Sequence, residues 1–174
     1  MADKFFREPF NVPRRYTFSV AVTSLGTGSR TTKRGRNTIV AQWHASPDPF
    51  PGGEPNRSPP LALRIHNGKW AITFGSEPKF RSTEQYLANN WRYVGAVQEN
   101  EWITWDFRLR WGYRGEGSYT EVWKNGELVF LLEEPNAFND IRGVYLKLGL
   151  YHPPSDQRLL MDDIVIDGAG RLGD

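Results

Sequence analysis

The segment "EWITWDFRLRW", residues 101–111, alternates apolar and polar side chains from Ile103 to Trp111, and this alternation most strongly limits how the chain can fold. In a β-strand, successive side chains point to opposite faces. The apolar members of the segment are therefore expected to share one buried face: Ile103, Trp105, Phe107, Leu109 and Trp111. Comparable short segments occupy residues 14–24, 37–45, 61–75, 119–134, 144–151 and 159–168. Such a succession is typical of an all-β sandwich or barrel.

Two Asn-Gly dipeptides, at residues 67–68 and 125–126, interrupt these segments. Both residue types tolerate the positive φ angles of tight turns, so each dipeptide predicts a β-hairpin. Only "TEQYLANNWR", residues 83–92, is compatible with a helical turn. The length of 174 residues corresponds to a single domain, residues 1–174.

Composition excludes several classes of function. The chain has no cysteine, which excludes a disulfide framework, a thiolate metal site and a cysteine nucleophile. The formal net charge of +2 does not indicate a nucleic-acid-binding protein. No apolar run approaches the roughly 20 residues of a membrane span, and "MADKFFREPFNVPRR" lacks the hydrophobic region of a signal peptide. We expect a monomer that binds neither nucleic acid nor membrane, and the sequence assigns no compartment.

Positive charge is concentrated in the segment "GSRTTKRGRN", which carries four basic residues: Arg30, Lys33, Arg34 and Arg36. Two interpretations stay open. The segment is either a solvated loop or an electropositive lip for an anionic ligand.

Several familiar catalytic patterns are missing from the sequence. His44, His66 and His152 have no second histidine at the i+2 or i+4 spacing of a metal site. The G-x-S-x-G motif of serine hydrolases is absent. Asp162 and Asp163 are adjacent and face opposite sides of a strand, which does not favour the facing carboxylates of a glycosidase.

The segment "VYLKLGLY", residues 144–151, has one apolar face and one polar face. Alternation places Tyr145, Lys147, Gly149 and Tyr151 on the polar face. Lys147 would favour ionisation of the Tyr151 phenol through its charge. Gly149 would leave room for a sugar ring between them. Gln42 and His44 also share a strand face, and so do Arg64 and His66.

An acid, a base and a cation on facing strands suit β-elimination from a uronic acid. This reaction removes the proton next to the carboxylate and expels the 4-linked sugar. Charge accumulates on the carboxylate, so cationic and amide donors stabilise the intermediate. A tyrosine, with an ordinary pKa of about 10, can protonate the leaving oxygen or abstract a proton as phenolate. A structural role for each single residue is the alternative.

Five segments in order, "IVAQWH", "PPLALRIHNGKW", "WITWDFRLRW", "TEVWKNGELV" and "VYLKLGLY", resemble the jelly-roll polysaccharide lyases that include heparin lyase I and the glucuronan lyases. The resemblance covers about residues 38–167. It implies an all-β jelly roll of two antiparallel sheets. It also implies a catalytic pair at His44 and Tyr151, and a family lysine at Lys147.

The resemblance further implies a structural calcium ion, for which "NAFND" supplies Asn139 and Asp140. Family members are usually secreted or periplasmic. We therefore expect a lyase of an anionic, uronate-containing polysaccharide, glucuronan- or heparin-like, in which Gln42, Arg64 and Lys147 bind the substrate carboxylate. A non-catalytic carbohydrate-binding module of the same fold is the alternative, and a glycosidase is the third possibility.

Overall fold

The computed structural model describes residues 7–26, 37–51, 53–55, 57–81, 90–115 and 117–167. These residues form ten strands: β1 (Pro13–Ser24), β2 (Asn37–His44), β3 (Leu61–His66), β4 (Lys69–Phe74), β5 (Asn90–Ala96), β6 (Trp102–Arg110), β7 (Tyr119–Lys124), β8 (Glu127–Leu132), β9 (Tyr145–Tyr151) and β10 (Arg158–Asp167). The basic segment at residues 30–36 lies outside the described part of the chain.

The strands form two five-stranded sheets, one in the order β10-β1-β6-β7-β8 and the other in the order β5-β4-β3-β2-β9. Every pairing between these strands is antiparallel. The predicted all-β jelly-roll sandwich is therefore confirmed. In the described part of the chain, no helix is long and apolar enough to cross a membrane.

The core lies between the inner faces of the two sheets. Trp43 contacts Phe107 with ring centroids 4.7 Å apart, and Trp70 contacts Trp105 at 5.3 Å, so each pair joins one sheet to the other. The five alternating apolar residues from Ile103 to Trp111 are at most 2% exposed, as their alternation predicts. Burying a large apolar side chain stabilises the fold by about 1.5–3 kcal/mol.

Both Asn-Gly dipeptides form the predicted hairpin turns, whereas the predicted helical turn is wrong in part. Asn67 and Gly68 both have positive φ angles, and so do Asn125 and Gly126, and each pair links two antiparallel strands. Residues 83–89 of the predicted helical turn lie outside the described part of the chain, and the prediction is wrong at residues 90–92, because β5 begins at Asn90. Trp91 and Tyr93 have high β propensity, and pairing with β4 extends the sheet through them.

A bulge determines which residues of β2 point outward. The register with β3 shifts between Ile39 and Ala41, so Val40 and Ala41 both join the core cluster. Ile39 and Gln42 then both point away from the core. We call the outward side of the sheet β5-β4-β3-β2-β9 the basic face.

Candidate active site

Pairing of β2 with β9 sets three rows of opposed residues on the basic face: His44 with Tyr145, Gln42 with Lys147, and Ile39 with Tyr151. Directly opposed residues in an antiparallel pair lie on the same side of the sheet. The row of Gln42 and Lys147 therefore lies between His44 and Tyr151. His44 lies five positions along β2 from Ile39, the residue opposite Tyr151, which corresponds to about 16 Å of extended strand. A bound sugar would have to lie between these two side chains to meet both.

Tyr151 ends β9 and is 52% exposed, so its phenol is accessible from solvent. Its ring lies 4.0 Å from that of His152. Gly149, two residues earlier, has a φ of 124°, a conformation that L side chains rarely adopt. A Cβ atom at Gly149 would meet no atom within 4 Å. The glycine is therefore required by the backbone, and it leaves open space beside Tyr151.

Tyr145, the other phenol of β9, is only 7% exposed. Its ring is contacted by two cations, with the Arg7 guanidinium carbon at 4.3 Å from the centroid and the Lys147 Nζ at 5.0 Å. The imidazole of His44 lies 5.5 Å from the same ring. Tyr145 thus gathers two positive charges beside His44 through cation–π contacts.

Arg7 is a member of this site that the sequence did not predict. The backbone amide of Glu8 donates to the carbonyl of Val144 at 2.9 Å, which fastens the N-terminal segment beside β9. The Arg7 side chain then donates to Gly143 O at 3.4 Å and to Ser46 Oγ at 3.2 Å. No local sequence pattern relates residues so far apart.

The environment of His44 favours its neutral form. Burial lowers the pKa of His44, and the nearby charges of Lys147 and Arg7 lower it further, against an opposing contribution from the backbone at Ala45. A neutral imidazole near pH 7 has a ring nitrogen that can accept a proton. His44 is therefore suited to the role of a base.

Gln42 and Arg64 lie in the floor of the basic face and are 5% and 7% exposed. The Arg64 Nε donates to Thr73 Oγ1 at 2.8 Å, and its Nη1 donates to Asn37 Oδ1 at 3.4 Å. The guanidinium also lies 5.5 Å from the ring centroid of Trp91. Binding of a substrate carboxylate by Gln42, Arg64 and Lys147 stays a prediction. Of the three, only Lys147 is exposed.

The charged residues in the strands of this sheet are all basic. Its five strands contain no aspartate and no glutamate. Arg64, Lys69 and Lys147 point outward from it, as their register positions require. The basic face therefore presents a positive field to an approaching ligand.

A second cluster lies in the loops next to His44. Oxygens of Asp48, Glu54 and Asp140 lie within 4.8 Å of one another. The Arg57 Nη2 lies among them, 2.6 Å from Asp140 Oδ1 and 3.3 Å from Glu54 Oε2. Burial raises the pKa of Asp140 to about 6, with Arg57 opposing the shift and the carboxylates of Asp48 and Glu54 adding to it.

These donors fit a calcium ion, which prefers several carboxylate and carbonyl oxygens. Arg57 contacts two of the three carboxylates, whereas Asp48 accepts from Ile141 N at 3.1 Å. A divalent cation would offset the mutual repulsion of the three carboxylates. Of the two predicted calcium ligands, Asp140 belongs to this cluster. The amide of Asn139 instead donates to Pro78 O at 3.0 Å, in a neighbouring loop. Neither Asp48 nor Glu54 was predicted. Both lie between β2 and β3, in the segment "HASPDPFPGGEPNRSPP", which is rich in proline and glycine.

The family model described as "Polysaccharide lyase" matches residues 7–165 of the chain. This span contains every candidate residue of the basic face. It also contains Asp48, Glu54 and Asp140, which we call the acidic cluster. Among curated protein sequences, none is significantly similar to the chain.

Solved structures with the same fold include three polysaccharide lyases. The endo-β-1,4-glucuronan lyase from the fungus Trichoderma reesei matches with a TM-score of 0.69 and 13% identity, over 92% of this chain and 70% of that one. Alginate lyase AlyC3 matches with a TM-score of 0.64 and 10% identity, over 94% and 67%. Alginate lyase A1-II', a member of polysaccharide lyase family-7, matches with a TM-score of 0.62 and 12% identity, over 95% and 66%. At these identities the similarity establishes the fold.

Proposed function

This chain belongs to the polysaccharide lyase family, and we propose that it cleaves a uronic-acid-containing polysaccharide, glucuronan first among the candidates, by β-elimination. The observation that carries the proposal is the basic face, whose strands contain cations and no carboxylate. Such a surface attracts a polyanion and does not repel the carboxylate at the reacting centre.

The substrate carboxylate would lie over the middle row, where Lys147 and Gln42 supply a cation and an amide donor. Both groups would stabilise the negative charge that moves onto the carboxylate when the neighbouring proton leaves. Neutral His44 would take that proton from C5 of the uronate. The released electron pair forms the C4–C5 double bond, and the bond from C4 to the linking oxygen breaks. Tyr151 would protonate this leaving oxygen.

Exposure distinguishes the two phenols of β9. Tyr151 is 52% exposed, whereas Tyr145 is 7% exposed and holds Arg7 and Lys147 against its ring. A general acid must come within hydrogen-bonding distance of the leaving oxygen. We therefore assign the acid to Tyr151. Tyr145 would position the cations that lower the pKa of His44.

Calcium is the second part of the proposal. Asp48, Glu54 and Asp140 would hold the ion next to His44, joining the loop after β2 to the loop before β9. Because the ion binds the folded chain, saturation at about 100 times its dissociation constant would add about 2.7 kcal/mol of stability. For a chain of this size, a chelator should then lower the melting temperature by about 5–10 °C.

The calcium proposal is checked by calorimetry with EDTA and with added Ca²⁺. Asp140→Asn should abolish the difference between the two conditions, whereas Asn139→Ala should preserve it. A wild-type melting temperature that is the same with EDTA and with calcium would refute calcium binding. It would leave the assignment of the active site unchanged.

The lyase activity is tested by incubating the protein with glucuronan, alginate, heparin and hyaluronan. β-Elimination produces an unsaturated uronate that absorbs ultraviolet light, and hydrolysis does not. We expect ultraviolet-absorbing product from glucuronan. We also expect the protein to act as a monomer. Binding without product would favour the alternative, a carbohydrate-binding module of the same fold. New reducing ends without absorbance would identify a glycosidase.

A further inference from the structure

Three aromatic rings form a cluster on the basic face near the edge formed by β5. Trp91 and Tyr93 are nearly parallel, with 6.3 Å between ring centroids and 24° between ring planes. The imidazole of His66 lies 5.9 Å from the ring of Tyr93 and 5.0 Å from that of Trp91. Tyr93 is 48% exposed. We call these three residues the aromatic platform.

The rings of the aromatic platform are held in place by polar contacts. The guanidinium of Arg64 lies 5.5 Å from the Trp91 ring and is itself anchored to Thr73. The Nδ1 of His66 lies 2.6 Å from the hydroxyl of Tyr93. Rings fixed before a ligand arrives lose little conformational freedom on binding.

The hydrogen bonds of His66 leave a donor on the platform. The side-chain amide nitrogen of Asn67 lies 3.3 Å from His66 Nε2 and can only donate to it. A neutral imidazole that accepts at Nε2 carries its proton on Nδ1, and it donates this proton to the Tyr93 oxygen. The hydroxyl proton of Tyr93 is then available to an acceptor on a ligand.

Core packing does not account for the aromatic platform. Val94 is the residue of β5 that packs against the core. Trp91 and Tyr93 point to the other side, opposite Thr73 and Ala71 of β4. A cluster of aromatic rings outside the core, with polar groups bonded to it, has the usual character of a ligand site.

We propose that the aromatic platform is a sugar-stacking subsite for a uronan chain that crosses the strands of the basic face. The apolar C–H face of a pyranose ring would stack on Trp91 and Tyr93, and a uronate carboxylate would lie near Lys69. β5 is three strands from β2, about 14 Å at the usual strand spacing. The subsite is therefore several sugar units from the reacting bond, and only longer oligosaccharides reach it. This inference rests on the proposed function for the identity of its ligand.

The test compares Trp91→Ala with Trp102→Ala, a control of the same residue type on the other sheet. Trp102 lies on β6 and is 48% exposed, as Tyr93 is, whereas Trp91 is partly buried. Kinetics are measured with a trisaccharide and an octasaccharide prepared from glucuronan. Trp91→Ala should lower kcat/KM for the octasaccharide about three- to tenfold, the range for loss of one aromatic contact. The trisaccharide should be cleaved as by the wild type, and Trp102→Ala should change neither substrate. Tyr93→Ala, at a more exposed position, serves if Trp91→Ala folds poorly.

Equal losses on both substrates, or no loss on the octasaccharide, would overturn the subsite while leaving the lyase intact. If the wild type produces no unsaturated product, calorimetric binding of the octasaccharide separates the two proposals. Binding that Trp91→Ala weakens and Trp102→Ala preserves would support the subsite alone. An octasaccharide that the wild type does not bind would refute both.

Discussion

The outward faces of the two sheets use charge in opposite ways. On the sheet β10-β1-β6-β7-β8, which we call the ion-paired face, Asp106 accepts from Arg15 at 3.0 Å and from Arg108 at 2.7 Å. Its five strands contain six acidic and six basic residues. The basic face has cations and no acid, and its described cation contacts include the rings of Tyr145 and Trp91.

The difference separates stabilisation from binding. The six acidic and six basic residues on the strands of the ion-paired face balance in charge, so this face has little net field. The strands of the basic face carry cations and no carboxylate, so their charges add to a net positive field. The same sandwich therefore has one face that stabilises the chain and one that is suited to an anionic ligand.

The largest expected effect is on kcat, and it tests whether the reaction takes place on the basic face. Tyr151→Phe should lower kcat at least about hundredfold, because it removes a positioned acid. Its melting temperature should hardly change, since the side chain is half exposed. Tyr145→Phe is the matched variant and should retain most of the turnover. The opposite pattern, measured as unsaturated product per unit time, would move the acid to Tyr145.

The ion-paired face should respond in stability and not in activity. Asp106→Ala leaves the guanidiniums of Arg15 and Arg108 facing each other and should cost about 1.5–3 kcal/mol. The melting temperature should fall by about 3–10 °C with kcat unchanged. A loss of kcat at constant stability would contradict the assignment of stabilisation to the ion-paired face and of catalysis to the basic face.

The pH dependence of the Asp106 variant provides a further check on that face. Burial of Asp106 opposes ionisation, but hydrogen bonds from Arg108 and Arg15 hold its pKa below the ordinary 3.8. The stabilisation is therefore present above pH 3.8 and is lost as the pH falls through the folded-state pKa. Calorimetry should show the wild-type and Asp106→Ala curves converging at the acid end.

Reversing one charge on each face tests whether the basic face in particular attracts the substrate. Lys147→Glu places the first acid on the strands of the basic face and should lower kcat/KM for a uronan about tenfold through repulsion. The dependence of kcat/KM on salt should weaken as well. Arg158→Glu, on exposed β10, makes the same charge change on the other sheet and should leave kcat/KM nearly unchanged. Equal losses in both variants would mean that net charge, and not the basic face, attracts the substrate.

The smallest expected effect is on the titration of His44. Its pKa should lie below the ordinary 6.5, so this histidine stabilises the fold above that pH and loses the contribution as the pH falls. Lys147→Gln should raise the pKa of His44 toward 6.5, and Arg158→Gln should not. NMR titration of the three imidazoles, assigned with His44→Gln, measures both shifts. A pKa that does not respond to Lys147→Gln would remove the electrostatic link between β9 and β2.

Strand period and turn chemistry were readable from the sequence because they are local. The alternation in residues 101–111 predicted the buried face of β6, and the two Asn-Gly dipeptides predicted their hairpins. The sequence also shows that these strands lack acidic residues. It does not show that the strands belong to one sheet, so the common basic face could not be inferred from it.

Register and long-range contact were decided by the tertiary structure alone. Alternation put Lys147 and Tyr151 on one face, yet only the pairing with β2 shows that Tyr145, and not Tyr151, lies opposite His44. Arg7 reaches Gly143 across 136 residues of chain. No pattern in a single sequence encodes such a contact, because it depends on how two distant segments pack.

The same reason applies to the acidic cluster and to β5. Asp140 meets Arg57 across 83 residues, so its neighbours could not be inferred from the spacing of "NAFND". The short segment 90–96 carries a weak local signal, and pairing with β4 makes it a strand. The sequence by itself determined the fold class and the side-chain types of the basic face. Only the packing of the two sheets decided which of those side chains meet, because the free energy of a contact between distant segments is realised only when the whole sandwich assembles.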